Sequence, residues 1–226
     1  MIVLLTDQQR WDITDVYGNR AGATFGFGRQ ARESGLVRHA ITPRPGVRAG
    51  PSVSPDRPVP HGHGSVTQRS ATPPRRTETR RLFDAAGCAT GRIGKRHLAG
   101  RDGPDGPVPP ERRGGHRSWL APDRLEFTSD AHRAVVHDGD GEHVRLRGYR
   151  SDTLVRAVIR FVADHHDRPF LLFLSLLEPH HQNAADDYPA PRGYRERYEG
   201  RRIPPDLTAL APGAPHAGRT VIRAAG

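Results

Sequence analysis

Three features of the sequence predict an α/β fold with a mixed, mostly parallel sheet flanked by helices. An aliphatic run at residues 2–5 breaks abruptly into Thr6, Asp7 and Gln8. Four such residues in succession read as a strand buried on both faces, the habit of a central parallel strand. A helix-period pattern starting near Ser151 runs into the apolar segment 170–177, and helix followed by buried strand is half of a βαβ unit. Between these, residues 42–81 hold eight prolines, eight arginines and two acids with no period of 2 or 3.6, the composition of a disordered insert.

Composition narrows the function classes. The 226 residues suffice for one domain or two small ones. Only 35% are apolar, with 25 glycines, 21 prolines and a mean hydropathy of −0.69, so part of the chain is expected to stay unstructured. A formal charge of +10 and a pI near 10.9 ordinarily point to an anionic partner such as nucleic acid. Yet Lys95 is the single lysine among 35 basic residues, a bias that GC-rich coding explains more simply. Residues 42–81 also contain no aromatic residue to stack on bases, which leaves a basic nucleic-acid-binding chain as a minor alternative. Cys88 is the sole cysteine, excluding an internal disulfide and a cysteine-based zinc site. No run is long enough to span a membrane, residues 1–5 are too short for the apolar region of a signal peptide, and the chain as written is expected to be cytoplasmic.

Taken in order, the first strand delivers Asp7 to its carboxyl end, where open α/β sheets gather ligands; the alternative is that Asp7 caps the turn that follows. A helix is expected over 29–35, closing on Gly35. A second, over 80–86, ends at Gly87, and a strand at 89–93 brings Lys95 and His97 into one loop. In an extended segment those two side chains would share a side, because strand side chains repeat with period 2. Cys88, just before this strand, reads as a small buried residue. His132, His137 and His143 stand at no ligand spacing and read as solvent-facing. Ser151 or Asp152 is expected to cap the next helix, with Leu154, Val155, Val158, Ile159 and Val162 along its apolar face. The chain thus divides into stretches 1–41, 42–81, 82–207 and a disordered tail, 208–226.

Three islands of this sequence resemble one family. Thr6-Asp7-Gln8-Gln9-Arg10-Trp11-Asp12, with Tyr17-Gly18-Asn19 after it, resembles the opening metal-site segment of the sulfatases of the alkaline-phosphatase-like superfamily. Gly91-Arg92-Ile93-Gly94-Lys95-Arg96-His97-Leu98 is similar to their Gly-Lys-Trp-His-Leu segment. The strand at 169–177 running into Glu178-Pro179-His180-His181-Gln182-Asn183 resembles their third active-site segment. Pro109-Pro110-Glu111-Arg112-Arg113-Gly114-Gly115, followed by Trp119 and Leu125-Glu126-Phe127-Thr128-Ser129, is similar to a substrate-side insertion of one subgroup. The resemblance covers most of residues 1–40 and 82–207 and implies a partial alkaline-phosphatase-like fold in a truncated, frame-shifted member.

What it implies for chemistry is uneven. The family's Cys-x-Pro-x-Arg or Ser-x-Pro-x-Arg signature, whose first residue becomes the formylglycine nucleophile, is absent. Around Gly46-Val47-Arg48-Ala49, codons such as GGT-GTG-CGG-GCC read one base later encode Val-Cys-Gly-Pro, so a frame shift over 43–81 is expected. Asp7 and Gln8 would be ligands to Ca²⁺, or to Mg²⁺ or Mn²⁺, being the oxygen donors that hard cations take. Lys95 would bind a sulfate oxygen as a point charge and His97 would hydrogen-bond the formylglycine hydrate. His180 would protonate the leaving group, or His181 if the register differs by one. The implied substrate is a small sulfated ester, with a phosphonate or phosphate monoesterase as the alternative. Without the nucleophile, and with half the metal segment missing, the chain is expected to be catalytically impaired.

Overall fold

A computed structural model describes residues 1–20, 24–41, 79–97, 106–126, 130–180 and 188–199. The expected insert and frame shift, apart from residues 79–81 at the start of a helix, the tail and His181 lie outside the described residues. In chain order the elements are β1 (Ile2–Leu5), α1 (Phe25–Arg32), α2 (Thr79–Ala85), β2 (Ala89–Gly94), β3 (Ser118–Leu120), β4 (Val135–His137), β5 (His143–Arg145), α3 (Arg150–Asp164), β6 (Phe170–Ser175) and α4 (Tyr194–Tyr198). They fall into two units. One comprises Met1–Asp7 and Ala40–Glu178, the other Gln8–His39 and Pro179–Gly226.

The first unit holds a four-stranded sheet in the order β1-β6-β2-β3 and a separate β4-β5 hairpin. All three pairings in the larger sheet are parallel. The α/β reading therefore stands, with the continuous apolar run of β6 at its centre. Leu171, Leu172 and Leu174 are buried in β6, as a strand covered on both faces requires. Neighbouring β2 is buried along its whole length. Gly91 is needed there, because a Cβ would lie 2.6 Å from the Phe161 ring and 2.9 Å from Leu172.

Two corrections follow within this unit. The aliphatic run of β1 was expected to be central, but among the described residues β1 pairs with β6 alone and leaves Ile2 48% and Leu4 44% exposed. An apolar run records its own hydrophobicity and not the number of its neighbours; the central position belongs to β6. The apolar face of α3 is also rotated from the expected one. Leu154, Ala157 and Phe161 pack into the core, whereas Val155 is 40% and Ile159 62% exposed. The cause is volume: the Phe161 ring occupies the space above Gly91 and meets Phe170 edge-on at 5.7 Å, and the rest of the helix turns to suit it.

The start of α3 differs as well. Tyr149 is its N-cap residue, and no side chain caps it. The Ser151 hydroxyl instead donates to Glu178 Oε2 at 2.5 Å, and Arg150 reaches Glu178 Oε1 through Nη2 at 2.6 Å and Nε at 3.1 Å. The first turn of the helix is thus tied to the residue just past β6 by a cation with no exposed surface.

In the second unit α1 spans Phe25–Arg32 in place of the expected 29–35, and Gly35 lies beyond its end. The earlier start has a local cause. Thr24 Oγ1 accepts from the Asp15 amide at 2.9 Å and donates to Asp15 Oδ1 at 3.0 Å. Gly28 passes so close that a Cβ would lie 1.9 Å from Asp15 Oδ2. The sequence Phe25-Gly26-Phe27-Gly28 therefore forms a first helical turn despite two glycines, which otherwise disfavour one.

Candidate active site

The carboxyl ends of β1 and β2 carry Asp7 and Lys95 to one place. Strand β2 ends at Gly94, whose φ of +87° and whose approach to Ser175 no other residue could match, since a Cβ would stand 2.1 Å from the Ser175 carbonyl oxygen. The Lys95 amide then donates to that carbonyl at 2.9 Å, fixing the point where the loop leaves the sheet. The loop is pinned on its other side as well. The Arg96 and His97 amides donate to the Pro122 and Asp123 carbonyls, Arg96 Nη1 pairs with Asp123 Oδ1 at 2.9 Å, and the Arg92 guanidinium donates to the Lys95 carbonyl at 3.1 Å.

Those contacts bring in Glu126, which sequence reasoning did not single out. The Lys95 ammonium, 3% exposed, sits 2.6 Å from Asp7 Oδ2 and 3.1 Å from Glu126 Oε1. His97 Nδ1 lies 3.5 Å from the same Glu126 oxygen. Asp7 is thus an ion-pair partner, not a cap. Lys95 and His97 do converge, though not through strand alternation. The strand has already ended, and His97 is in the left-handed region at φ +53°, a conformation that non-glycine residues hold only where their surroundings enforce it.

Burial, reinforced by the neighbouring Lys95 charge, lowers the His97 pKa below its ordinary 6.5, against the opposing pull of Glu126, Asp123 and Asp7. His97 is therefore neutral at pH 7. Burial pushes the Glu126 carboxyl up, but the Lys95 charge, His97 once it is protonated at lower pH, and hydrogen bonds outweigh burial and hold it below its usual value. The Lys95 ammonium consequently faces two carboxylates.

The fold has been seen before. The chain matches yidJ of Bacteroides fragilis, a protein assigned as a sulfatase, with a TM-score of 0.71 at 20% identity over 95% of this chain and 50% of that one. It matches BT4656, solved in complex with its substrate D-glucosamine-2-N,6-O-disulfate, with a TM-score of 0.67 at 21% identity over 92% of this chain and 39% of the other. A 4S-sulfatase structure from work on glycosaminoglycan metabolism by Bacteroides thetaiotaomicron gives 0.66 at 17% identity over 82% and 46%. The fold is that of the sulfatases. This chain spans about half the length, or less, of those relatives. No protein-family model matches the sequence, and no curated protein matches it.

Within this sulfatase fold the remaining expected residues are placed as follows. Gln8 and His180 belong to the second unit. Gln8 is exposed and left-handed at φ +59°, and His180 is half-buried. Cys88 is half-buried just before β2 begins. Arg92 stands four positions after it, as in the nucleophile signature, but the signature's proline is absent. Six strand residues at about 3.3 Å each separate Cys88 from the end bearing Lys95.

Among the described residues no group of three or more carboxylate, histidine or cysteine side chains could hold a metal ion, and Asp7 Oδ2 is engaged by an ammonium. Ca²⁺ takes six to eight oxygens. The described residues do not fit such an ion, and no chemical step is derived through one.

Proposed function

We propose that this chain is a sulfatase-like hydrolase, directed at a small sulfated ester, whose sulfuryl-binding lysine is held out of use. The observation that carries the reading is the Lys95 ammonium clamped between Asp7 and Glu126 at the carboxyl ends of β1 and β2. Sulfate-ester hydrolysis needs positive charge on the sulfuryl oxygens, an activated oxygen nucleophile and a proton for the leaving alcohol. Lys95 is the charge best placed for the first, but two carboxylates already neutralise it and repel a further anion. Neutral His97 could accept or pass a proton beside it. No cysteine or serine stands in a complete nucleophile signature, and losing a nucleophile costs roughly six powers of ten in rate.

A sulfated sugar as substrate class draws support from BT4656, whose structure holds a disulfated glucosamine. The decisive experiment incubates the purified chain with 4-nitrophenyl sulfate and, in parallel, a 4-nitrophenyl phosphonate. Release no faster than in buffer is the expected result for both. Sulfate turnover at an enzyme's rate would show Lys95 to be free for catalysis, and phosphonate turnover alone would move the assignment to the monoesterases.

A further inference from the structure

We propose that His137 and His143 form a two-imidazole site for a late first-row transition-metal dication, with Cu²⁺ bound ahead of Ni²⁺ and Zn²⁺. The two residues were expected to face solvent independently. They are instead directly opposite each other in the β4-β5 hairpin, in the register Val135↔Arg145, Val136↔Val144, His137↔His143. Directly opposed residues project their side chains from the same face of an antiparallel pair, so a spacing of six along the chain becomes contact across the ladder.

Three observations make this a built site. The ring centres are 4.8 Å apart with planes at 85°, and two imidazoles sharing a tetrahedral ion at about 2.0–2.1 Å from each nitrogen have ring centres roughly 5 Å apart. His137 is only 5% exposed, and both its ring nitrogens are buried without a hydrogen-bond partner, although buried polar atoms are nearly always satisfied. The hairpin is also held in shape before any ligand arrives. Asp138 Oδ1 accepts the Asp140 amide at 3.0 Å and the Glu142 amide at 2.9 Å, and the Arg113 guanidinium donates to the Gly139 carbonyl.

The charge surroundings are mixed. Burial first, then His143 and Arg113, lower the His137 pKa against the pull of Asp138, which keeps the ring in the neutral form that metals bind. Imidazole pairs suit Cu²⁺, Ni²⁺ and Zn²⁺ rather than Ca²⁺ or Mg²⁺, and affinity among the former peaks at Cu²⁺. With two protein ligands the remaining positions fall to water, so binding is expected to be reversible.

The test follows the ring resonances of His137 and His143 by NMR in the full chain while CuCl₂ is added below one equivalent, because the other eleven histidines make bulk binding uninformative. Paramagnetic broadening of both rings together is the expected result, with His143→Ala, an exposed position, abolishing it at His137 while amide dispersion is retained. Sharp His137 signals at one equivalent, or broadening that persists in His143→Ala, would overturn the site. Neither outcome depends on sulfatase activity.

Discussion

Two buried cations, Lys95 just beyond β2 and Arg150 in the first turn of α3, are balanced differently. Arg150, with no exposed surface, meets the single carboxylate of Glu178 through two nitrogens, and Ser151 satisfies the other carboxylate oxygen. Lys95 meets two carboxylates on a flexible stem, with His97 on the edge of the group. A planar guanidinium locked one-to-one to a carboxylate is how a protein fastens a helix to a sheet. A point charge outnumbered by carboxylates is how it stores unbalanced charge where chemistry would act. The difference separates scaffold from candidate site more sharply than burial does, since both cations are buried.

The largest expected effect tests the scaffold half of that contrast. Arg150→Met leaves Glu178 without its charge partner at the start of α3, and breaking a buried pair from one side costs about 3–5 kcal/mol. The urea midpoint measures it. Should that variant fail to fold, Glu178→Gln, which keeps the shape and weakens hydrogen bonds to a charged group, is expected to cost about 1.5–3 kcal/mol. A loss under half a kcal/mol in either would mean that the Arg150 cluster does not fasten the helix.

The same glutamate-to-glutamine change in the other cluster has the opposite expected sign for binding. Glu126→Gln leaves Lys95 with one carboxylate instead of two, so the ammonium is matched one to one. Affinity for inorganic sulfate should rise roughly tenfold, equivalent to about 1.4 kcal/mol, while stability changes by less than about 1 kcal/mol. Calorimetric titration reads the first quantity and denaturation the second. If Glu126→Gln lowers sulfate affinity, Glu126 is part of the anion site and not the brake on it.

Much of the scaffold was legible and most of the balance was not. The run at 170–177 announced β6, and Gly87, at φ +77° after α2, announced the end of that helix. Both are local signals, carried by neighbours in sequence. The face of α3 was misread because periodicity weighs Val155 and Ile159 equally with Phe161, while packing does not: one aromatic ring over Gly91 outranks two smaller aliphatic groups. Glu126 was passed over because its partners, Lys95 and His97, are far away in the chain. Only the pinning of residues 96 and 97 to the Pro122 and Asp123 carbonyls puts it within reach. A carboxylate in a stretch already marked as substrate-side, with a single lysine in the whole chain to pair with, was the one signal that could have found it.

The smallest expected effect distinguishes the clusters by titration. His97 binds its proton less readily when folded than its ordinary 6.5, through burial and the Lys95 charge. Below pH 6.5 the unfolded chain therefore takes up a proton that the folded one refuses, and stability falls with pH. Glu126 extends the decline: its carboxyl is held below the usual 4.5, so the stability it contributes is intact above that value and lost as pH drops through the folded one. Denaturation midpoints between pH 7 and pH 5 should fall less in His97→Gln than in the parent chain, while Ser151→Ala, which touches only the Arg150 cluster, should leave the slope unaltered. Parallel slopes in all three proteins would remove His97 from the balance around Lys95 and leave Glu126 as the sole group there that couples folding to protons.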